Sequence, residues 1–275
     1  LTNARIAARF AALKAEGRAA FVPYVMAGDP DAETALAILK GLPAIGADLI
    51  EVGFPFSDPM AEGPPIQRAA QRALAKGMTL KATLAAIRAF RDGDDATPVI
   101  LMGYMNPLIT WGIEAFARDA AAAGVDGMIV VDCPPEEADP LADALEANGL
   151  SLIFLTTPTT DDKRLPTVIR RASGFVYYVS VAGVTGVKEA DAGAVAPNVA
   201  RIRKASGLPV AVGFGIKTPE RAAEVARVAD GVVVGSALVD EVAAASAANE
   251  DVTRRVLTKA EALAKAVRTA RRVPA

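Results

Sequence analysis

Residues Asp48 to Gln67 read DLIEVGFPFSDPMAEGPPIQ, a stretch holding a strand, the loop that leaves it and the start of a helix. Asp48 to Gly53 forms the strand, in which Glu51 is the only ionisable side chain flanked on both sides by strand-forming apolar residues. Gly53 and Pro55 end it, and Pro64-Pro65 opens the helix, since proline is tolerated in a first helical turn. The loop adds Asp58 and Glu62, so three carboxylates stand within twelve residues. An unpaired buried carboxylate is costly, which pushes a carboxyl at position 51 toward a raised pKa and suits it to general acid/base work. Spacing alone leaves a second reading of Glu51 open, a strand-end charge that reaches water or pairs with a lysine. Asp58, between Ser57 and Pro59, reads first as a turn residue, and Glu62 equally as a solvated loop charge.

On the N-terminal side of this stretch, LTNARIAARFAALKAEGR (1–18) is a charged amphipathic helix. A strand from Ala20 to Met26 follows, ending at Ala27-Gly28-Asp29-Pro30, then a helix from about Asp31 to Ile45. On the C-terminal side come helical patterns at Ile66 to Lys76 and Leu80 to Arg91, a strand at Pro98 to Gly103 and a helix at Gly112 to Ala123. Strands at Gly127 to Val131, Leu152 to Thr156, Phe175 to Ser180, Val210 to Phe214 and Gly231 to Val234 alternate with further helices, and Leu238 onward closes the chain. That makes eight strands, each followed by a helix. Short apolar strands alternating with helices indicate a parallel sheet buried on both faces. At 275 residues, near the typical ~250 for such a fold, the pattern predicts an α/β protein, a single (β/α)₈ TIM barrel with an extra N-terminal helix. No linker interrupts the chain, so residues 1–275 read as one domain.

Composition narrows the chemistry. With 52% hydrophobic residues, 23% charged and a net charge of −2, the chain reads as globular, with neither nucleic acid nor membrane as a partner. It has no histidine, which excludes Ser-His and Cys-His nucleophile mechanisms and leaves few ligands for zinc. The single Cys133 allows no intrachain disulfide and reads as a strand-end filler. No apolar run approaches a membrane span, and a cytoplasmic location is expected. The first residue is Leu, for which the sequence offers no account.

In a barrel the residues just after each strand form the active face. These include Glu51, Tyr104 and Asn106, Asp132, Tyr177, and three glycine-rich turns: Ala182 to Gly186, Gly213 to Ile216, and Gly235-Ser236. Turns after the seventh and eighth strands commonly bind phosphate, and here the donors would be backbone N–H groups and the Ser236 hydroxyl, since neither turn contains Lys or Arg.

Phe21-Val22-Pro23-Tyr24 with Gly28-Asp29-Pro30, Glu51 to Pro59 (EVGFPFSDP), Ser180 to Gly186 (SVAGVTG) and Gly213-Phe214-Gly215-Ile216 together resemble the tryptophan synthase α subunit, in order and over nearly the whole chain. The resemblance implies a carbon-carbon lyase that splits indole-3-glycerol phosphate into indole and glyceraldehyde 3-phosphate by a retro-aldol reaction. It implies that Glu51 moves protons at indole C3 and the glycerol hydroxyl, that an ionised acid in the following loop binds the indole N–H, and that the environments of the two carboxyls push their pKa values apart. That acid is Glu62, where the family motif ends Ala-Asp-Gly and this chain has Ala61-Glu62-Gly63, one methylene longer. Tyr177 would lie beside the glycerol. Phe21, Leu101 and Tyr104 would line the indole slot, and Thr185, Gly186, Phe214, Gly215, Gly235 and Ser236 would complete the substrate site, with Thr185 in a closing loop. Val181 stands where some members carry Arg.

The family works as an α₂β₂ complex that passes indole to a β subunit carrying pyridoxal phosphate. The resemblance therefore implies no cofactor in this chain, and a partner facing Pro55, Asp58 and Asn106-Pro107. Two rival readings are another phosphate-binding barrel, such as an indoleglycerol phosphate synthase or a sugar phosphate isomerase, and a partner-activating subunit with little chemistry of its own. None of the eight strands contains the lysine that would favour the synthase.

Overall fold

The computed structural model describes residues 2–180, 192–213 and 215–271. It opens with α1 (Ala4–Ala15), whose N-cap Asn3 accepts from the N–H groups of Arg5 and Ile6. Then come β1 (Ala20–Met26), α2 (Ala32–Gly41), β2 (Ile50–Gly53), α3 (Pro64–Ala75), α4 (Leu80–Arg91) and β3 (Val99–Gly103). The chain continues through α5 (Met105–Trp111), α6 (Ile113–Ala123), β4 (Gly127–Val130), α7 (Asp139–Ala147), β5 (Ser151–Leu152) and β6 (Phe154–Thr156). The last elements are α8 (Leu165–Ile169), β7 (Val176–Val179), α9 (Ala192–Ser206), β8 (Val210–Gly213), α10 (Pro219–Ala226), β9 (Gly231–Val234), α11 (Ser236–Ala247) and α12 (Val252–Thr269).

All strand pairs are parallel, in the order β5-β4-β3-β2-β1-β9-β8-β7-β6. β5 and β6 are two pieces of one passage, separated at Ile153, whose N–H still donates to Met128 O at 2.9 Å. β5 pairs with β4 and β6 with β7, so this passage joins the two ends of the sheet and the expected eight strands become nine segments. α5 carries Asn106-Pro107, in a stretch after β3 where no helix was expected. Pro107 falls in the first turn of α5, where its missing N–H has no carbonyl to serve.

Side chains alternate between two layers, as strand geometry requires. Ala20, Val22, Leu49, Ile100, Ile129 and Ile153 face the barrel axis, packed with Phe175 and Tyr177. Ile6, Phe10 and Leu13 of α1 close the N-terminal mouth from below, with the Phe10 and Phe175 rings 5.7 Å apart. The intervening residues, among them Phe21, Ile50, Val52, Leu101 and Val212, pack outward against the helices. α12 buries Val256, Ala260, Leu263 and Val267 against that outer layer.

Four side chains at the N-terminal mouth tie neighbouring strands together. Asp48 accepts from Phe21 N–H at 2.9 Å, Asp126 from Val99 N–H at 2.8 Å, and Asp230 from Val210 N–H at 2.8 Å. Ser173 Oγ does the same for Leu152 N–H at 3.0 Å. Each follows a small or β-branched residue, in Ala47-Asp48, Val125-Asp126, Ala172-Ser173 and Ala229-Asp230, a repeat that the sequence reading passed over. The three aspartates are neutralised by arginine: Arg18 grips Asp48, Arg5 and Arg91 grip Asp126, and Arg203 grips Asp230. Among the described residues no helix is long and apolar enough to cross a membrane.

Candidate active site

At the opposite, C-terminal mouth a pocket is lined by Tyr24, Glu51, Glu62, Ile66, Met102 and Tyr177 on one side. Gly215, Ile216, Lys217, Val233, Gly235 and Ser236 complete it. Glu51 stands in register with Tyr24 and Ile100 on the axial face of β2. It is 2% exposed, and its Oε1 has no hydrogen-bond partner among the described residues. Burial, and then the charge of Glu62, push its carboxyl up to about 8.

Glu62 reaches the same pocket from the loop and is also buried. A turn from Pro59 O to Glu62 N–H at 3.1 Å shapes that loop, and Gln67 of α3 donates to Glu62 O at 3.0 Å. Arg72, further along α3, forms a two-pronged contact with Asp29 after β1, at 2.7 and 2.8 Å, anchoring the helix that follows the loop. Burial raises Glu62 to about 7. The expectation that the two environments push the carboxyls apart therefore needs correction. Both are raised, because burial withdraws both from water, and Glu51 is raised further by the charge of Glu62.

Tyr177 and Tyr24 flank the acids, and burial together with the two glutamates raises both phenols well above their ordinary value. Each hydroxyl lies over a glycine at the end of the next strand, Tyr24 over Gly53 and Tyr177 over Gly213. A Cβ there would come within 2.1 and 2.0 Å of the respective oxygen, so neither glycine admits a side chain. Tyr104 is buried but outside the pocket lining. It stacks on Phe56 at 4.9 Å and accepts from Ala61 N–H at 3.1 Å, which pins the loop that carries Glu62.

Two more expected pocket residues lie elsewhere. Phe21 sits between the axial Ala20 and Val22, and Leu101 between the axial Ile100 and Met102, so both point outward to the helices. Tyr24 and Met102 take the places meant for them. Thr185, Gly186, Phe214 and Val181 lie outside the described residues. Asp58 is exposed and hydrogen-bonded to the Ser57 hydroxyl at 2.5 Å, so only two of the three clustered acids meet.

On the glycine side, Gly215 adopts a positive φ of 70°, and Gly235 caps α11, whose first N–H groups begin at Ser236. A helix N-terminus behind a glycine turn is suited to an anion. The sequence reading placed no cation there, yet Lys217 lines the pocket two residues after Gly215. It was missed because it stands just beyond the Gly213 to Ile216 turn. Ile66, Ile216 and Val233 were missed because nothing in an apolar residue marks it as pocket rather than core. Among the described residues no group of three or more acidic or cysteine side chains is placed to hold a metal ion.

The family model described as tryptophan synthase alpha chain matches residues 10–268. The tryptophan synthase alpha chain of Phenylobacterium zucineum is 80% identical over 272 residues, covering 99% of this chain and 98% of that protein. That of Caulobacter vibrioides is 72% identical, covering 98% of each. Among solved structures, tryptophan synthase subunit alpha from Legionella pneumophila superposes with a TM-score of 0.90 at 42% identity, over 97% of this chain and 99% of that one. A Mycobacterium tuberculosis tryptophan synthase structure gives 0.88 at 37% identity, over 98% and 99% of the two chains.

Proposed function

The chain belongs to the tryptophan synthase alpha chain family, and from that premise we propose how its residues divide the work. The reaction is the retro-aldol cleavage of indole-3-glycerol phosphate to indole and glyceraldehyde 3-phosphate, a lyase step of tryptophan biosynthesis. Cleavage requires a proton at indole C3, removal of the proton from the glycerol hydroxyl, and stabilisation of the positive charge that develops on the ring.

Glu51 is the proton-transfer group. A carboxyl with a pKa of about 8 is protonated at neutral pH, and it delivers that proton to C3. The resulting carboxylate then takes the hydroxyl proton as the C3–glycerol bond breaks. The bond's electron pair returns to the indole ring, the aldehyde forms, and Glu51 is restored to its starting state. Glu62 accepts the indole N–H, and its ionised form is favoured as the ring becomes cationic. Glu62, one methylene longer than the family's aspartate, is buried in the pocket lining, which supports its reach to the indole nitrogen. Tyr177 packs beside the glycerol. Gly215, Gly235, Ser236 and the α11 N-terminus hold the phosphate with Lys217 supplying charge, and Tyr24, Ile66 and Met102 form the indole wall. Phe21 and Leu101 pack outward against the helices, and Tyr104 holds the loop that carries Glu62.

The observation that carries this reading is the Glu51 carboxyl, buried at a strand end in the pocket lining with one oxygen unpartnered among the described residues. Indole release by wild type, Glu51→Gln and Glu62→Asp, with and without a β subunit, tests it. Wild type releases indole, Glu51→Gln is inactive, and Glu62→Asp retains activity. An active Glu51→Gln would remove the assignment.

We also propose that residues 1–275 form one domain, that the chain acts in the cytoplasm, and that it docks a β subunit in an α₂β₂ assembly. Pyridoxal phosphate would belong to that partner and no cofactor to this chain. In support of docking, Met60 and Ile109 expose 74% and 60% of their surfaces on the loop after β2 and on α5, beside Asp58 and Asn106-Pro107.

A further inference from the structure

The N-terminal mouth holds a second cavity, of about 580 Å³, remote from the pocket just described. Its apolar wall is Phe10 and Leu13 of α1 with Leu208, Pro209 and Val228. Five cations border it, Lys14, Arg18, Arg203, Arg227 and Arg271, against one carboxylate, Asp230. Arg18 is taken up by Asp48 and Glu16, and Arg203 by Asp230. Arg271 donates only to the carbonyls of Ala226 and Ala229, at 2.8 and 2.5 Å, and no described carboxylate pairs with it, with Lys14 or with Arg227. Three cations with no carboxylate partner among the described residues thus line one concavity from α1, the end of α10 and the segment after α12, in a chain whose net charge is −2. Burial does most to lower the Arg271 pKa, Asp230 partly offsets it and Arg203 adds to the lowering, so five cations share the single carboxylate of this corner.

We propose that this cavity binds an organic anion carrying a phosphate group. The guanidinium fork of Arg227, the Lys14 ammonium and the Nη1 of Arg271, whose Nε and Nη2 are held by the two carbonyls, take the phosphate, and the apolar wall takes the organic part. A ligand there stabilises the closed N-terminal mouth by mass action without touching the catalytic pocket.

Phenyl phosphate serves as probe, titrated by calorimetry at constant ionic strength into the full chain carrying Gly235→Asp. That substitution places an acid in the upper pocket and excludes phosphate from it, so failure of the phosphate assignment at Gly235 does not alter the reading at the lower cavity. The expected result is saturable binding, tighter than that of inorganic phosphate or benzoate. Adding Lys14→Ala and Arg227→Ala weakens it by at least about a hundredfold, the size of two lost charge-assisted contacts. Lys14→Arg alone keeps it. In an otherwise wild-type chain the same two alanines leave kcat/KM for indole release unchanged. No binding, binding that survives both alanines, or benzoate binding as tightly as phenyl phosphate each overturns the proposal.

Discussion

At the N-terminal mouth of the barrel Asp126 is fully buried, yet it meets Arg5, Arg91 and the N–H of Val99. At the C-terminal mouth Glu51 is buried to nearly the same degree, and one of its oxygens has no partner among the described residues. The two carboxyls have similar burial and opposite company. A buried charge whose hydrogen bonds are all met binds the scaffold together, whereas one left unmet holds its proton and keeps an open valence for a substrate. The same barrel therefore uses buried acids for cohesion below and for proton transfer above.

The comparison breaks most visibly at Glu51. Glu51→Gln preserves shape and removes the transferable proton, and we expect indole release to fall by roughly 10²- to 10⁴-fold, measured as kcat in the assembled enzyme. Full activity would mean that the unpaired acid is idle. Asp126→Ala is the reverse case. It strands two arginines and a strand N–H, and should cost about 3–5 kcal/mol in denaturant unfolding while kcat/KM stays at the wild-type value well below the melting temperature.

The pH dependence of stability separates the two kinds of acid more finely. The folded-state pKa of Glu51, about 8, lies above its unfolded value near 4.5. Its stabilising contribution is fully present below pH 4.5 and is lost as pH rises through 8. Wild type should therefore lose stability relative to Glu51→Gln across that window, by on the order of a few kcal/mol at pH 9. A difference that is flat with pH would show that Glu51 titrates normally.

Glu62→Gln removes the charge that helps raise Glu51. The Glu51 pKa should then fall, by less than the burial effect that remains, and the alkaline limb of the pH–rate profile should move to lower pH. An unmoved limb would mean that the two carboxyls do not interact. The smallest expected effect is at Ser173→Ala, which deletes one neutral strand clasp. It should cost about 1 kcal/mol of unfolding free energy and leave the pH–rate profile untouched.

The alternation of strands and helices, the strand carrying Glu51, the glycine turns and the family were all legible in the linear order of residues. They are local patterns, with period 2 in strands and 3.6 in helices, and a chemical motif around Glu51 that few folds share. Phe21 and Leu101 show where legibility stopped. Each lies in a strand buried on both faces, so hydrophobicity cannot tell the axial layer from the helix-facing layer, and an assignment one or three residues away selects the wrong face. Lys217 was hidden for a related reason, since its reach into the pocket depends on where the turn after β8 points.

The sequence by itself determined which segments become strands and helices, that acid/base work falls to carboxyls in a chain without histidine, and which family the chain belongs to. Tertiary structure alone decided which carboxyls are paired. Arg91 and Asp126 are 35 residues apart in the chain, and Arg18 and Asp48 are 30 apart. Whether a buried acid meets a cation or only another acid is set when the sheet closes on itself, because the strand register brings distant side chains to the same level of the barrel.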